Sequence, residues 1–288
     1  MIKKILHSTI AKLIIGFVVI FAACWIPQVW LKDMLKANQV IPIVRHILIP
    51  TITVILILLS YITLYRYYEK RKITELATCH IGKYLIIGLI IGFVLPSLMI
   101  GVAYLRGEYT VLSISSLTDT FLRNITISIL YGIGIAVFEE VLFRGVVFRL
   151  MEEKLGSYIA LAISCVIFGF IHLANGSDSL LPGITISIIS ILITAAYMYT
   201  RNLWFPIAIH FAWNFTEGDI FGTAVSGNVA KTSIIVSKLE GSQWFTGGAW
   251  GIEATVQALI FGLIAGSILL ILCRKKGQIV KPYWKNTL

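Results

Sequence analysis

Eight apolar runs, each about 20 residues long, lie along this sequence at about 10–30, 47–65, 84–105, 124–147, 157–174, 181–200, 203–222 and 252–273. A helix rising 1.5 Å per residue needs roughly that length to cross the hydrocarbon core of a bilayer. In lipid the backbone must satisfy its own hydrogen bonds, so such runs form helices, whereas a barrel would show alternating strands of about ten residues. The expected fold class is all-α, a polytopic membrane protein of about eight transmembrane helices forming one integral membrane domain over residues 1–288. Composition agrees. The chain is 58% hydrophobic and 13% charged, against about 45–50% and 25% in a soluble domain. That excludes a disordered chain, a secreted disulfide scaffold and an ordinary soluble enzyme.

The net charge of +10 would suggest nucleic acid in a soluble protein, but no aromatic-plus-basic motif stands on a soluble module, so no nucleic-acid partner is expected. The cations instead cluster between the apolar runs and set orientation. With the N-terminus cytoplasmic, the inside segments carry 16 lysines and arginines, among them Lys3, Lys4, Arg71, Arg149 and Arg201. The outside segments carry 7, including Lys231 and Lys238. The expectation is therefore a multi-pass cell-membrane protein with both termini cytoplasmic, and the Ile- and Lys-rich composition fits a low-GC bacterial source. Lys12, inside the first run, is expected to snorkel to the near interface. That run lacks a small-residue cleavage site and reads as an uncleaved span. Cys24, Cys79, Cys165 and Cys273 are widely spaced and form no CxxC, so they read as small hydrophobes. Residues 223–251, rich in Gly, Ser and Thr, read as the longest outside loop.

Ionisable groups within spans are costly and usually functional. They gather in three places. In Glu139-Glu140-Val-Leu-Phe-Arg144, Glu140 precedes Arg144 by four residues, the favoured order for an intrahelical ion pair. Glu139 has no partner in its own turn and suits a general base or acid. Phe168 stands one turn before His172, on the same face. His210 and Asn214 are likewise four apart, so Asn214 either orients His210 or points at the same acceptor. The fourth and fifth runs form a hairpin near Gly156, which brings Glu139 and His172 to similar depth. Counted from Arg201, His210 should sit shallower. A Glu with a His can deprotonate water, while a second His with an Asn can stabilise an oxyanion. Alternatively Glu139, His172 and His210 could hold zinc with a fourth position for water, or no metal at all. No HExxH or GxSxG occurs, which leaves water-mediated hydrolysis inside the membrane.

The motifs EExxxR, FxxxH and HxxxN, on successive membrane segments, resemble the CPBP intramembrane protease family. That family groups CAAX prenyl endopeptidases of the Rce1 type, bacteriocin-processing or immunity proteins and lysostaphin-resistance-like proteins. The match covers Phe138-Glu139-Glu140, Phe143-Arg144-Gly145, Phe168-Gly169 with His172, and Asn202-Leu203-Trp204 with Pro206, His210 and Asn214. It marks residues 118–218 as a catalytic core flanked by transmembrane segments 1–105 and 223–288. The resemblance implies that Glu139 and His172 activate water, that His210 and Asn214 hold the oxyanion, and that Glu140, Arg144 and Phe168 support them. The family is called metalloprotease, although a metal-free glutamate mechanism is argued for it. The expected activity is endopeptidase cleavage of a membrane-associated peptide or protein near the cytoplasmic face. Two other readings use the same residues: a non-catalytic immunity or scaffold protein that binds a partner through the polar cluster, and a proton-coupled transporter. Against the transporter, the sequence shows no inverted repeat.

Overall fold

A computed structural model describes residues 8–176, 179–230 and 232–285; Lys3, Lys4 and Lys231 of the charge count lie outside the described residues. Helix α1 (Thr9–Ala37) is capped by Ser8, whose Oγ accepts from the Ala11 amide at 3.3 Å. It is followed by α2 (Pro42–Tyr68), α3 (Ile81–Leu105) and strand β1 (Tyr109–Ile114). Thr118 caps α4 (Asp119–Glu140), which continues through a π-helical stretch, Val141–Phe148, into α5 (Arg149–Ile171). Helices α6 (Leu181–Thr200) and α7 (Trp204–Asn214) come next, the latter extended by a π turn, Phe215–Ile220. Short strands β2 (Ala224–Val225), β3 (Asn228–Val229) and β4 (Ile235–Leu239) precede α8 (Val256–Lys275). Apolar side chains such as Ile14, Ile55, Ile86 and Ile264 point outward, as lipid-facing surfaces do.

The protein is an all-α polytopic membrane protein, but its spans are not eight separate membrane-length helices. Six helical runs among the described residues are long and apolar enough to cross. One of them, Asp119–Asn175, is 57 residues long and joins two of the expected spans. It turns at Gly156, where φ of +76° and a Cβ position 2.7 Å from the Pro282 nitrogen leave room only for glycine. The run expected at 203–222 is the 11-residue α7 plus a six-residue π turn, which is short for a full crossing.

The segments between helices also differ from expectation. The loop expected at 223–251 holds three strands, and β4 pairs antiparallel with β1 from Tyr109↔Leu239 to Ile114↔Ile235. These are two small ribbons at one end of the bundle. At the other end, Lys12 pairs with Glu69 at 3.1 Å, Glu69 with Arg149 at 3.2 Å, and Asn202 donates to the Ala77 carbonyl at 2.7 Å. The molecule therefore has a basic face, built from residues 69–80, 149–156, 201–203 and the C-terminal segment, and a ribbon face.

Small residues set how closely α7 approaches α3. A Cβ at Gly92 would lie 2.3 Å from the Ile209 carbonyl oxygen and 2.7 Å from Ala212 Cβ, and one at Gly88 would lie 2.7 Å from Ala208 Cβ. The backbones touch there, and this contact fixes the helix that carries His210. Gly92→Ala is expected to cost about 1–3 kcal/mol through overpacking. Gly82→Ala, which meets nothing within 4 Å, should leave stability unchanged. Thermal unfolding of the two variants in detergent makes the comparison.

Candidate active site

Glu139 and Glu140 end α4, where the chain passes into the π-helical stretch. Arg144 is 1% exposed and donates to Glu140 Oε1 at 2.8 Å, to Ser190 Oγ at 2.7 Å and to Thr194 Oγ1 at 3.2 Å. The i, i+4 pair expected from the sequence is present, and α6 completes it with two hydroxyls. Phe168 packs beneath this group. Its ring lies 4.6 Å from the Arg144 guanidinium carbon, with ring-centroid distances of 4.6 Å to His172 and 6.3 Å to His210.

The two histidines approach Glu139 from different helices. His172 Nε2 stands 3.7 Å and His210 Nε2 3.8 Å from the same oxygen, Glu139 Oε2. That oxygen is buried and has no hydrogen-bond partner among the described residues. The other ring nitrogens are engaged. His172 Nδ1 lies 2.7 Å from the Phe168 carbonyl, and His210 Nδ1 lies 2.7 Å from Glu140 Oε1. A backbone carbonyl only accepts, so His172 must carry a proton on Nδ1, and its neutral form presents a bare Nε2 to Glu139. The Glu140 carboxylate imposes the same tautomer on His210. Three acceptor atoms thus converge with no donor between them. A water placed there satisfies two of them and is held against a carboxylate.

His210 and Glu139 meet because the relevant reference point is Leu203, not Arg201 and Gly156. A Cβ at Gly145 would lie 3.3 Å from Leu203 Cδ1, so these two positions share a depth. Glu139 lies six residues before Gly145 and His210 seven after Leu203, which places both at one level. Residues 146–156 run on past the start of α7, and the long Arg201 side chain reaches down to Glu152. Asn214 does not sit on His210 Nδ1, since Glu140 occupies it; it lines the same cavity one turn further along.

The donor set also bears on metal. Carboxylate and imidazole are zinc ligands in kind, but among the described residues no group of three His, Cys, Asp or Glu side chains has metal-holding geometry.

The basic face clamps the π-helical stretch from behind. Arg149 Nε donates to the Gly145 carbonyl at 2.9 Å, and the Tyr61 hydroxyl, which gives its one proton to Glu75, packs 3.1 Å from the same carbonyl oxygen. Burial alone would raise the Glu75 carboxyl, but hydrogen bonds from Arg71 and Tyr61 bring it down to about 2. Because its value in the fold lies below that of the unfolded chain, the stability it contributes is complete above about pH 4.5 and is lost as pH falls toward 2. Glu75→Gln is expected to remove roughly 3 kcal/mol at neutral pH and to flatten the loss of thermal stability between pH 6 and pH 3, read by unfolding in detergent.

Several residues of the site have no motif to announce them. Ser190 and Thr194 stand four apart in an apolar helix, a spacing that places two hydroxyls on one face, and that was the only signal available. Ser128, Asp219, Ser226 and Glu253 line the cavity above Glu139, and Glu253 accepts from the Ser226 amide at 2.8 Å and hydroxyl at 2.6 Å.

Residues 121–216 match the family model for Rce1-like type II CAAX prenyl endopeptidases. That segment is Rce1-like. It spans all three motifs, from α4 through the start of the π turn after α7, and includes Glu139, His172 and His210. No curated protein and no solved structure matches the chain.

Proposed function

We propose that this Rce1-like protein is an intramembrane endopeptidase that hydrolyses a peptide bond with water activated by Glu139 and His172. The observation that carries this reading is the convergence of His172 Nε2 and His210 Nε2 on the unpartnered Glu139 Oε2, at 3.7 and 3.8 Å. A water bridging Glu139 and His172 gives a proton to the carboxylate, and its oxygen attacks the scissile carbonyl. The carbonyl oxygen becomes an oxyanion. Asn214 offers an amide N–H to it directly, whereas His210 donates only when Nε2 also carries a proton, a charge that Glu140 at Nδ1 balances. Glu139 then passes its proton to the leaving amine, which restores the carboxylate. Glu140 and Arg144 hold the geometry without touching substrate, and Phe168 packs against both histidines at the cavity wall.

The test uses purified protein in lipid vesicles, offered a farnesylated CAAX peptide and, separately, solubilised bacterial membrane proteins. New peptide termini are read by mass spectrometry. Wild type is expected to produce termini that His172→Ala does not. If wild type produces none, the partner-binding reading takes precedence. If His172→Ala produces the same termini, the mechanism is wrong. The glutamate mechanism also expects cleavage to survive a chelator; loss restored by zinc would recast Glu139, His172 and His210 as ligands.

A further inference from the structure

The cavity that holds Glu139, His172 and His210 has a volume of about 490 Å³ and is lined along α4 toward the ribbon face. From the catalytic cluster it follows one stripe of α4, through Ile135, Tyr131 and Ser128, to Ser226, Val229 and Glu253 on the ribbon face. The spacing 128, 131, 135, 139 is that of a single helix face, so the stripe is continuous. Toward the basic face the path is shut. Phe143, Arg144, Phe148 and Leu203 are buried there at 6% exposure or less, and no described residue of the basic face lines the cavity.

The lateral wall is apolar. Ile135 is 47% exposed on the outside of the bundle while also lining the cavity. Across from it, Phe211 and Phe215 stack at 5.7 Å between ring centroids and line the cavity as well. The cleft between α4 and α7 thus has an apolar, lipid-side wall along its length and a mouth at the exposed Asn228 and Val229, with Ser226 and the buried Glu253 beneath them. An occupant that matches both is a polypeptide whose apolar segment lies in the bilayer and whose end emerges as polar chain on the ribbon face.

The basic face holds Arg71, Arg149, Arg201, Arg274, Lys275 and Lys276, and cationic loops remain cytoplasmic. We infer that the site is loaded from the extracytoplasmic side, and that its substrate class is a membrane-inserted apolar segment that reaches the catalytic cluster along α4. This builds on the endopeptidase reading and concerns the route of entry: Glu139, six residues from Gly145, still lies in the half of the molecule nearer the basic face. A prenylated cytosolic C-terminus approaches from the closed side.

Two cysteines report the two faces. Cys79 is exposed on the basic face, and Val229, at the mouth, is 77% exposed. In a background with Cys24, Cys165 and Cys273 replaced by alanine, one protein keeps Cys79 alone and the other carries Val229→Cys with Cys79→Ser. Intact bacterial cells are treated with a membrane-impermeant maleimide. Val229→Cys is expected to label in intact cells, and Cys79 only after permeabilisation; the reverse pattern overturns the proposal. In vesicles, a bulky maleimide on Val229→Cys is expected to slow cleavage at least tenfold, while the same reagent on Cys79 leaves the rate unchanged. Equal rates for the blocked and unblocked mouth also overturn it. The labelling pattern needs no activity, so failure of the protease reading and failure of the access reading are told apart.

Discussion

Glu139→Gln is expected to lower kcat about 10²–10⁴-fold, the range contributed by a positioned general base. The substitution keeps the shape of the side chain and the burial of its oxygen, so the helix end and the Glu140–Arg144 pair remain. What it removes is the ability of Oε2 to take a proton from the water between it and His172 Nε2, 3.7 Å away. The fold should be spared because Oε2 makes no hydrogen bond that the amide would break. Unchanged thermal unfolding with lost cleavage is the signature of this variant. Loss of both together would assign Glu139 a structural role instead.

Arg144→Met is expected to destabilise the fold by about 3–5 kcal/mol, the penalty for removing one partner of a buried ion pair. Arg144 is 1% exposed and Glu140 0%, so loss of the cation leaves a carboxylate buried beside His210 with no guanidinium. It also leaves Ser190 Oγ and Thr194 Oγ1 without the donors that reach them at 2.7 and 3.2 Å. Adding Glu140→Gln should recover part of the loss, since the uncompensated charge is then gone. Detergent unfolding of the single and double variants gives the coupling between the two sites. If Arg144→Met unfolds like wild type, the Glu140–Arg144 pair does not hold the fold together.

Much of this architecture is legible in the sequence, for a physical reason. In a chain where lipid demands apolar surface, a glutamate, arginine or histidine within a run has to be satisfied by another buried group, so Glu139, Glu140, Arg144, His172 and His210 stand out. The Glu140–Arg144 pair follows from helix periodicity alone. The depth of His210 does not, because the hairpin at Gly156 is a poor ruler for a helix that starts level with Gly145. The β1–β4 pairing is equally hidden: its strands are short, and more than a hundred residues, most of them helical, lie between Ile114 and Ile235. Ser190 and Thr194 look like ordinary helix hydroxyls until Arg144 reaches them. Glu69, Glu75, Glu152, Arg149 and Arg201, which in the sequence register only as loop charge, are joined in the fold into the network behind the π-helical stretch.

The proposed hydrolysis requires Glu139 and His172 to act together on one water. The most direct measurement is kcat for Glu139→Gln, His172→Ala and the double variant, in vesicles, on a substrate that wild type cleaves. Residues that work as a unit are not additive, so the double variant should be no slower than the slower single one. A double variant whose loss equals the product of two independent losses, or a Glu139→Gln protein that cleaves at the wild-type rate, would contradict it.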